Sequence, residues 1–219
     1  MLNKLIKKEL SLCLHPTAFI FLAMALFVFI PNYPYEVMFF FSGLSVFFIC
    51  LTARENGDLA FSCVLPISKS QVPVARILTT VIFQCALVLL ASVTVTVKEC
   101  VYAVDAQINY AGNTANVAFL GYGFMLLGVF DIIFFPLHFK RPDNVGIPFL
   151  IASAVIFVLI GLGIVFRWTV PFVVNVLNTP DPQYIGAKLG VLAAGAVVYA
   201  ACVALSCKLS SRNFVKVDF

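Results

Sequence analysis

The sequence predicts an all-α polytopic membrane protein with about six transmembrane helices. Hydrophobic residues make up 62% of the 219-residue chain, charged residues only 11%, and the mean hydropathy is +1.05. A soluble globular chain would carry about 25% charged residues. The apolar segments are continuous, whereas the strands of a membrane β-barrel alternate in hydrophobicity. These observations predict a single transmembrane domain over residues 1–219.

The first 14 residues predict an amphipathic helix that lies on the inner membrane surface. Its apolar residues fall on one helical stripe, and its lysines lie mostly off that stripe. The apolar residues are Leu2, Leu5, Ile6 and Leu10, and the lysines are Lys4, Lys7 and Lys8. A cleavable signal peptide would place its apolar core sooner and follow it with small residues. The alternative is a plain basic leader that retains the first span inside the cell.

Charge-poor segments of about 20 residues locate the spans, because a helix of that length crosses a hydrocarbon core of roughly 30 Å. The first two segments are short and are joined by a tight turn at residues 32–35, which predicts a helical hairpin. The predicted spans are residues 16–34, 36–53, 74–97, 117–139, 146–166 and 187–208.

The distribution of Lys and Arg predicts the orientation. In this arrangement 11 of the 14 basic residues fall on the side of both termini, and only Lys98, Arg167 and Lys188 fall on the other side. Cytoplasmic loops carry the excess of Lys and Arg in membrane proteins. Both termini are therefore predicted to be cytoplasmic. The net charge of +4 reports this topology and does not indicate nucleic-acid binding.

Two polar residues inside the predicted spans stand out, Asp131 and Gln84. An acid inside a membrane is costly and by default indicates function. The alternative is that Asp131 pairs with Arg76 or Arg54 and only stabilises the bundle.

Gly186 and Gly190 form a Gly-x-x-x-Gly pattern. Such small residues let helices approach closely, either within the chain or at a dimer contact.

The sequence contains no catalytic pattern. A His-Glu-x-x-His cluster and a phosphate-binding Gly-x-x-x-x-Gly-Lys-Ser/Thr loop are both absent from it. The seven cysteines show neither a disulfide framework nor metal-ligand spacing. We therefore predict no enzymatic activity, and no catalytic, metal-binding or cofactor-binding residue in this chain.

The loop of residues 54–73 is the most informative segment, because a charged, structured loop on a membrane protein is a natural docking surface. Asn56 or Asp58 can cap a short helix that Pro66 ends. Three short segments, two in the loop and one directly after it, carry a family resemblance. They are Arg54-Glu55-Asn56-Gly57-Asp58, Leu65-Pro66-Ile67-Ser68-Lys69 and Val74-Ala75-Arg76. With them, the chain resembles the membrane subunits of small type-2 ABC exporters.

The resemblance implies six helices, an amphipathic N-terminal helix and a cytoplasmic coupling helix between the second and third spans. It implies a homo- or heterodimer of permease subunits in the bacterial cell membrane and a cytoplasmic ABC ATPase dimer that binds ATP and Mg. The branch that exports amphipathic peptides, such as phenol-soluble modulins, or that gives lantibiotic immunity is the most similar. The expected ATPase-coupling residues are Glu55, Asp58, Leu59, Phe61, Leu65 and Pro66.

Two other classes compete with this interpretation. A secondary transporter or channel usually places several ionisable groups near the midplane, whereas this chain offers only Asp131. A membrane scaffold without transport activity is the other alternative.

Overall fold

The computed structural model describes residues 2–13, 16–30, 33–101 and 112–217. Residues 1, 14, 31 and 32 of the predicted N-terminal helix and first span lie outside the described residues. The described chain is helical. Its α-helices are α1 (Leu2–Lys8), α2 (Thr17–Leu22), α3 (Val37–Glu55), α4 (Asp58–Val64), α5 (Gln71–Val101), α6 (Val117–His138), α7 (Gly146–Thr169) and α8 (Ile185–Phe214). A π-helical turn, Glu9–Cys13, extends α1, a 3₁₀ segment, Ala23–Phe29, extends α2, and a second π-helical turn, Val173–Leu177, follows α7.

Five of these helices, α3, α5, α6, α7 and α8, are long and apolar enough to cross a membrane. Each of them overlaps one of the last five predicted spans. The first predicted span contains only the shorter apolar helix Thr17–Phe29. With rises of about 1.5 Å per α-helical residue and 2.0 Å per 3₁₀ residue, this helix is roughly 23 Å long. A sixth span therefore stays a prediction.

Three pairs of residues from different parts of the chain form hydrogen bonds at one end of the bundle, which we call the basic end. Arg76, at the start of α5, binds Glu9. The side chain of Arg54 donates to the backbone oxygen of Asp143 at 3.3 Å, and Lys69 donates to that of Val217 at 3.3 Å. The start of α3, the end of α5, residues 112–117 and the α7–α8 connection lie at the opposite end.

The packing of α6 against α8 depends on glycine. A Cβ atom added to Gly195 would collide with the backbone oxygen of Gly121. A Cβ atom on Gly121 would lie 2.6 Å from the backbone oxygen of Val191. By contrast, a Cβ atom on Gly186 or Gly190 would meet nothing within 4 Å. The predicted Gly-x-x-x-Gly stripe therefore faces away from the described part of its own chain.

Candidate functional site

Helix α4 is the centre of the predicted docking loop. It begins at Asp58, directly after Gly57, whose φ of +62° lies in the left-handed region that favours glycine. It ends at Val64, because Leu65 is extended just before Pro66. The N-cap residue is Gly57, so the prediction that Asn56 or Asp58 caps the helix is wrong. The Asp58 carboxylate is bound by two cations from other elements, Lys8 and Arg76.

The cation at the centre of this arrangement is Arg76, which is only 1% exposed. Its Nε donates to Oε2 of Glu9 at 2.7 Å, and its Nη2 donates to Oε1 of Glu9 at 3.1 Å. The same Nη2 donates to Oδ2 of Asp58 at 2.6 Å. Arg76 therefore joins the N-terminal segment, α4 and α5.

Lys8 makes a second connection between the N-terminal segment and α4. Its Nζ lies 2.5 Å from Oδ1 of Asp58 and donates to Oγ of Ser62 at 2.6 Å. The Ser62 hydroxyl in turn donates to the backbone oxygen of Asp58 at 2.7 Å. We call Lys8, Glu9, Asp58, Ser62 and Arg76 the basic-end network. A displacement of α4 must act on both α1 and α5 through this network.

The two faces of α4 differ in exposure. Asp58, Leu59 and Ser62 are buried against the rest of the chain. Phe61 is 58% exposed and Val64 is 85% exposed, so two apolar side chains point away from the bundle. Exposed apolar residues that lie next to each other are a common mark of a protein interaction site.

The residues predicted for ATPase coupling therefore fall into two groups. Asp58 and Leu59 hold α4 to its own chain, and Leu59 belongs to the hydrophobic core. Glu55, Phe61 and Pro66 are exposed, and Leu65 is partly buried.

Glu9 and the pairing of Arg76 with Asp58 were not predicted as parts of this site. The available signal was the single acid of the amphipathic N-terminal segment, Glu9, directly after two lysines.

Cys63 also lies on α4, and it is not an activated nucleophile. Burial raises the pKa of its thiol, an effect that the nearby Lys69 partly offsets. A reactive cysteine needs a lowered thiol pKa.

The two polar residues singled out inside the spans bind each other. Nε2 of Gln84 donates to Oδ1 of Asp131 at 2.9 Å, and the Tyr199 hydroxyl donates to Oε1 of Gln84 at 2.6 Å. The Ser206 hydroxyl donates to the backbone oxygen of Asp131 at 2.9 Å. These contacts tie α5, α6 and α8 together inside the bundle.

The expected pairing of Asp131 with Arg76 or Arg54 is wrong. Arg76 is engaged by Glu9 and Asp58 at the basic end, and Arg54 contacts Glu55 and the backbone of Asp143. Asp131 is instead bound by an amide on the neighbouring α5.

Comparison with known proteins gives one result. The sequence model of a family described as ABC-2 family transporter protein matches residues 4–214. The match begins in α1 and ends at the last residue of α8. No curated protein and no solved structure shows a significant match to the chain.

Proposed function

Because this chain belongs to the ABC-2 family of transporter proteins, we propose that it exports amphipathic peptides as the permease of an ATP-driven exporter. The family implies the permease role, the membrane and an ABC ATPase partner. Peptide cargo of the phenol-soluble modulin or lantibiotic type, and the outward direction, are our proposals. ATP and Mg bind to the partner ATPase.

Helix α4 carries this proposal as the coupling helix. A helix of two turns is marginal alone, so its exposed face gains stability from a partner. Phe61 and Val64 provide an apolar contact for a cytoplasmic ATPase, while Asp58 anchors the helix to Arg76. Movement of the ATPase at Phe61 then reaches α5 through Arg76 and the N-terminal segment through Glu9.

Six spans with both termini in the cytoplasm fit this role. Glu9 lies at the basic end, where it binds Arg76, and Glu36 lies at the opposite end, where it binds Arg167. The chain between Glu9 and Glu36 therefore runs from one end of the bundle to the other, and α2 is the helix between them. This path supports a sixth crossing. The excess of Lys and Arg supports a cytoplasmic basic end.

A second permease subunit, identical or homologous, completes the proposed transporter. The Gly186 and Gly190 face of α8 has no contact that a Cβ atom would disturb within the described chain. Small residues on an open helix face permit close packing in a membrane. Cross-linking between cysteines placed at Gly190 in two subunits would test this contact, and absence of the cross-linked dimer would count against it.

Phe61→Ala tests the coupling role directly. Truncating a buried interface anchor commonly costs about 2 kcal/mol or more of binding, which is roughly a 30-fold loss of ATPase affinity. Co-purification of the ATPase with the permease measures the effect. Phe172→Ala is the matched control, because Phe172 is 56% exposed but follows α7 at the opposite end.

A different result is expected if α4 has no coupling role. If Phe61 only packs against its own chain, Phe61→Ala lowers thermal stability while the ATPase stays bound. That result would remove the coupling role of α4.

The cargo is tested separately, by ATP-dependent uptake of a fluorescent amphipathic peptide into inverted vesicles that contain the permease and its ATPase. Uptake without ATP would contradict an ATP-driven exporter.

A further inference from the structure

A cavity of about 170 Å³ lies at the opposite end of the bundle. This volume is roughly ten times the space that a single water needs. The start of α3, residues 113–116, α6, α7 and α8 surround it. Its walls combine a few polar residues with a larger apolar surface, as ligand sites commonly do. The principal lining residues are Glu36, Asn113, Asn116, Phe119, Tyr122 and Arg167.

The polar part of the cavity is deep and the apolar part is more open. Glu36 is 1% exposed and Arg167 is 8% exposed. Phe166, which also lines the cavity, is 49% exposed, and Leu177 and Val191 are partly exposed. A molecule that fits this gradient places a polar head inside and an apolar portion toward the outside.

Arg167 and Glu36 form an incomplete ion pair. Nη1 of Arg167 donates to Oε1 of Glu36, which also accepts from Nδ2 of Asn113 at 3.0 Å. Nε and Nη2 of Arg167 and Oε2 of Glu36 are buried and have no hydrogen-bond partner among the described residues. Buried polar atoms in folded proteins almost always have partners, so these three atoms point to a bound molecule.

The chemistry of the three atoms defines that molecule. Nε and Nη2 form one edge of the planar guanidinium, and that edge matches two oxygens of a carboxylate or phosphate. Oε2 of Glu36 requires a hydrogen-bond donor. Glu36 already neutralises Arg167, so a bare anion would leave an uncompensated charge in a desolvated site. A ligand that carries both an oxyanion and an ammonium group keeps the site neutral.

We propose that this cavity binds the head group of one zwitterionic phospholipid, in which a phosphate and a primary ammonium are joined to an apolar tail. The phosphate accepts from Nε and Nη2 of Arg167, and the ammonium donates to Oε2 of Glu36. The tail leaves past Phe166 toward the surrounding lipid. This inference is independent of the peptide cargo and of the ATPase contact at α4.

The test uses the purified full-length chain in detergent and native mass spectrometry. An equimolar mixture of dioleoyl phosphatidylethanolamine, phosphatidylcholine and phosphatidylglycerol is added. We expect at least tenfold preferential retention of phosphatidylethanolamine, because the choline head has no N–H donor and the glycerol head has no ammonium. Equal retention of the three lipids, or retention of none, would mean that water fills the cavity and would overturn the proposal.

Two variants locate the site. Arg167→Lys keeps the charge but removes the two-donor edge, and it should abolish the preference for phosphatidylethanolamine. Ala118→Leu places a larger side chain on the cavity wall while leaving the ion pair in place, and it should reduce retention at least tenfold. If Arg167→Lys does not fold, Ala118→Leu decides the question. Unchanged preference in Ala118→Leu would overturn the site.

Two controls separate this site from general lipid contact. Arg141→Gln removes an exposed cation at the basic end and should retain the preference. Loss of the preference in Arg141→Gln would overturn the assignment to the cavity. Free O-phosphoethanolamine, added as a competitor, should displace little lipid, because the apolar tail contributes to binding. Displacement at an equal concentration would contradict a lipid ligand.

Discussion

Arg76 and Arg167 are both almost fully buried, yet their surroundings differ. Arg76 forms ion pairs with two carboxylates, those of Glu9 and Asp58, which lie on two different elements of the chain. Arg167 forms an ion pair with one carboxylate, that of Glu36, and lines a cavity. A buried arginine with two carboxylates connects structural elements, whereas one with a single carboxylate and an open edge can recognise a ligand. The basic end of the bundle therefore connects structural elements, whereas the opposite end can recognise a ligand.

The largest effect should come from Arg76→Met. This change leaves Glu9 and Asp58 buried without the arginine, and breaking a buried ion pair costs about 3–5 kcal/mol. Thermal unfolding in detergent measures the loss. Arg54→Met is the matched control, because Arg54 is 40% exposed and its pair with Glu55 is worth about 0–1 kcal/mol. Similar losses in the two variants would contradict a structural role for the basic-end network.

A smaller loss should follow from Arg167→Gln. Only one carboxylate loses its partner, Asn113 still donates to Glu36, and the cavity admits water. We expect a loss of about 1–3 kcal/mol, the cost of an unsatisfied buried group. Thermal unfolding of the variant beside Arg76→Met measures the difference. A loss as large as that of Arg76→Met would remove the distinction between the two arginines.

The smallest effect on stability should come from Asp131→Asn. Asp131 is a buried acid whose Oδ1 accepts a hydrogen bond from the amide of Gln84, so a neutral side chain of the same shape can keep that bond. We expect a change below about 1 kcal/mol. Gln84→Leu is the comparison, because it removes that bond and should cost about 1–3 kcal/mol. Loss of transport with unchanged stability in Asp131→Asn would assign a functional role to the acid.

The apolar segments were predictable because lipid imposes a minimum length on every crossing helix. For the same reason, the five long helices appear where the charge-poor segments lie. The existence of α4 was predictable from Pro66, which ends a short helix, and from the polar residues that precede it. Its cap was not, because Gly57 takes that position with a left-handed backbone.

The charge pairs were not predictable, because they join residues far apart in the chain. Glu9 and Arg76 are separated by 67 positions, and Glu36 and Arg167 by 131. The close contact of Gly121 with Gly195 was also missed. Apolar residues of membrane helices face both lipid and protein, so their pattern does not identify the packed face. The visible Gly-x-x-x-Gly pattern marks a face that is open instead.

The length of the apolar helix Thr17–Phe29 has a consequence for the bilayer itself. In the proposed six-span arrangement its roughly 23 Å must cross a hydrocarbon core of about 30 Å. The exposed side chains of this helix include Phe19, Ile20 and Leu26, which are 58%, 57% and 56% exposed. The hydrocarbon layer beside them would have to become thinner to match the length of the helix. Hydrophobic mismatch costs fractions of a kcal/mol per Å. The membrane would therefore be thinnest beside this helix, and reconstitution into short-chain lipids should stabilise the transporter.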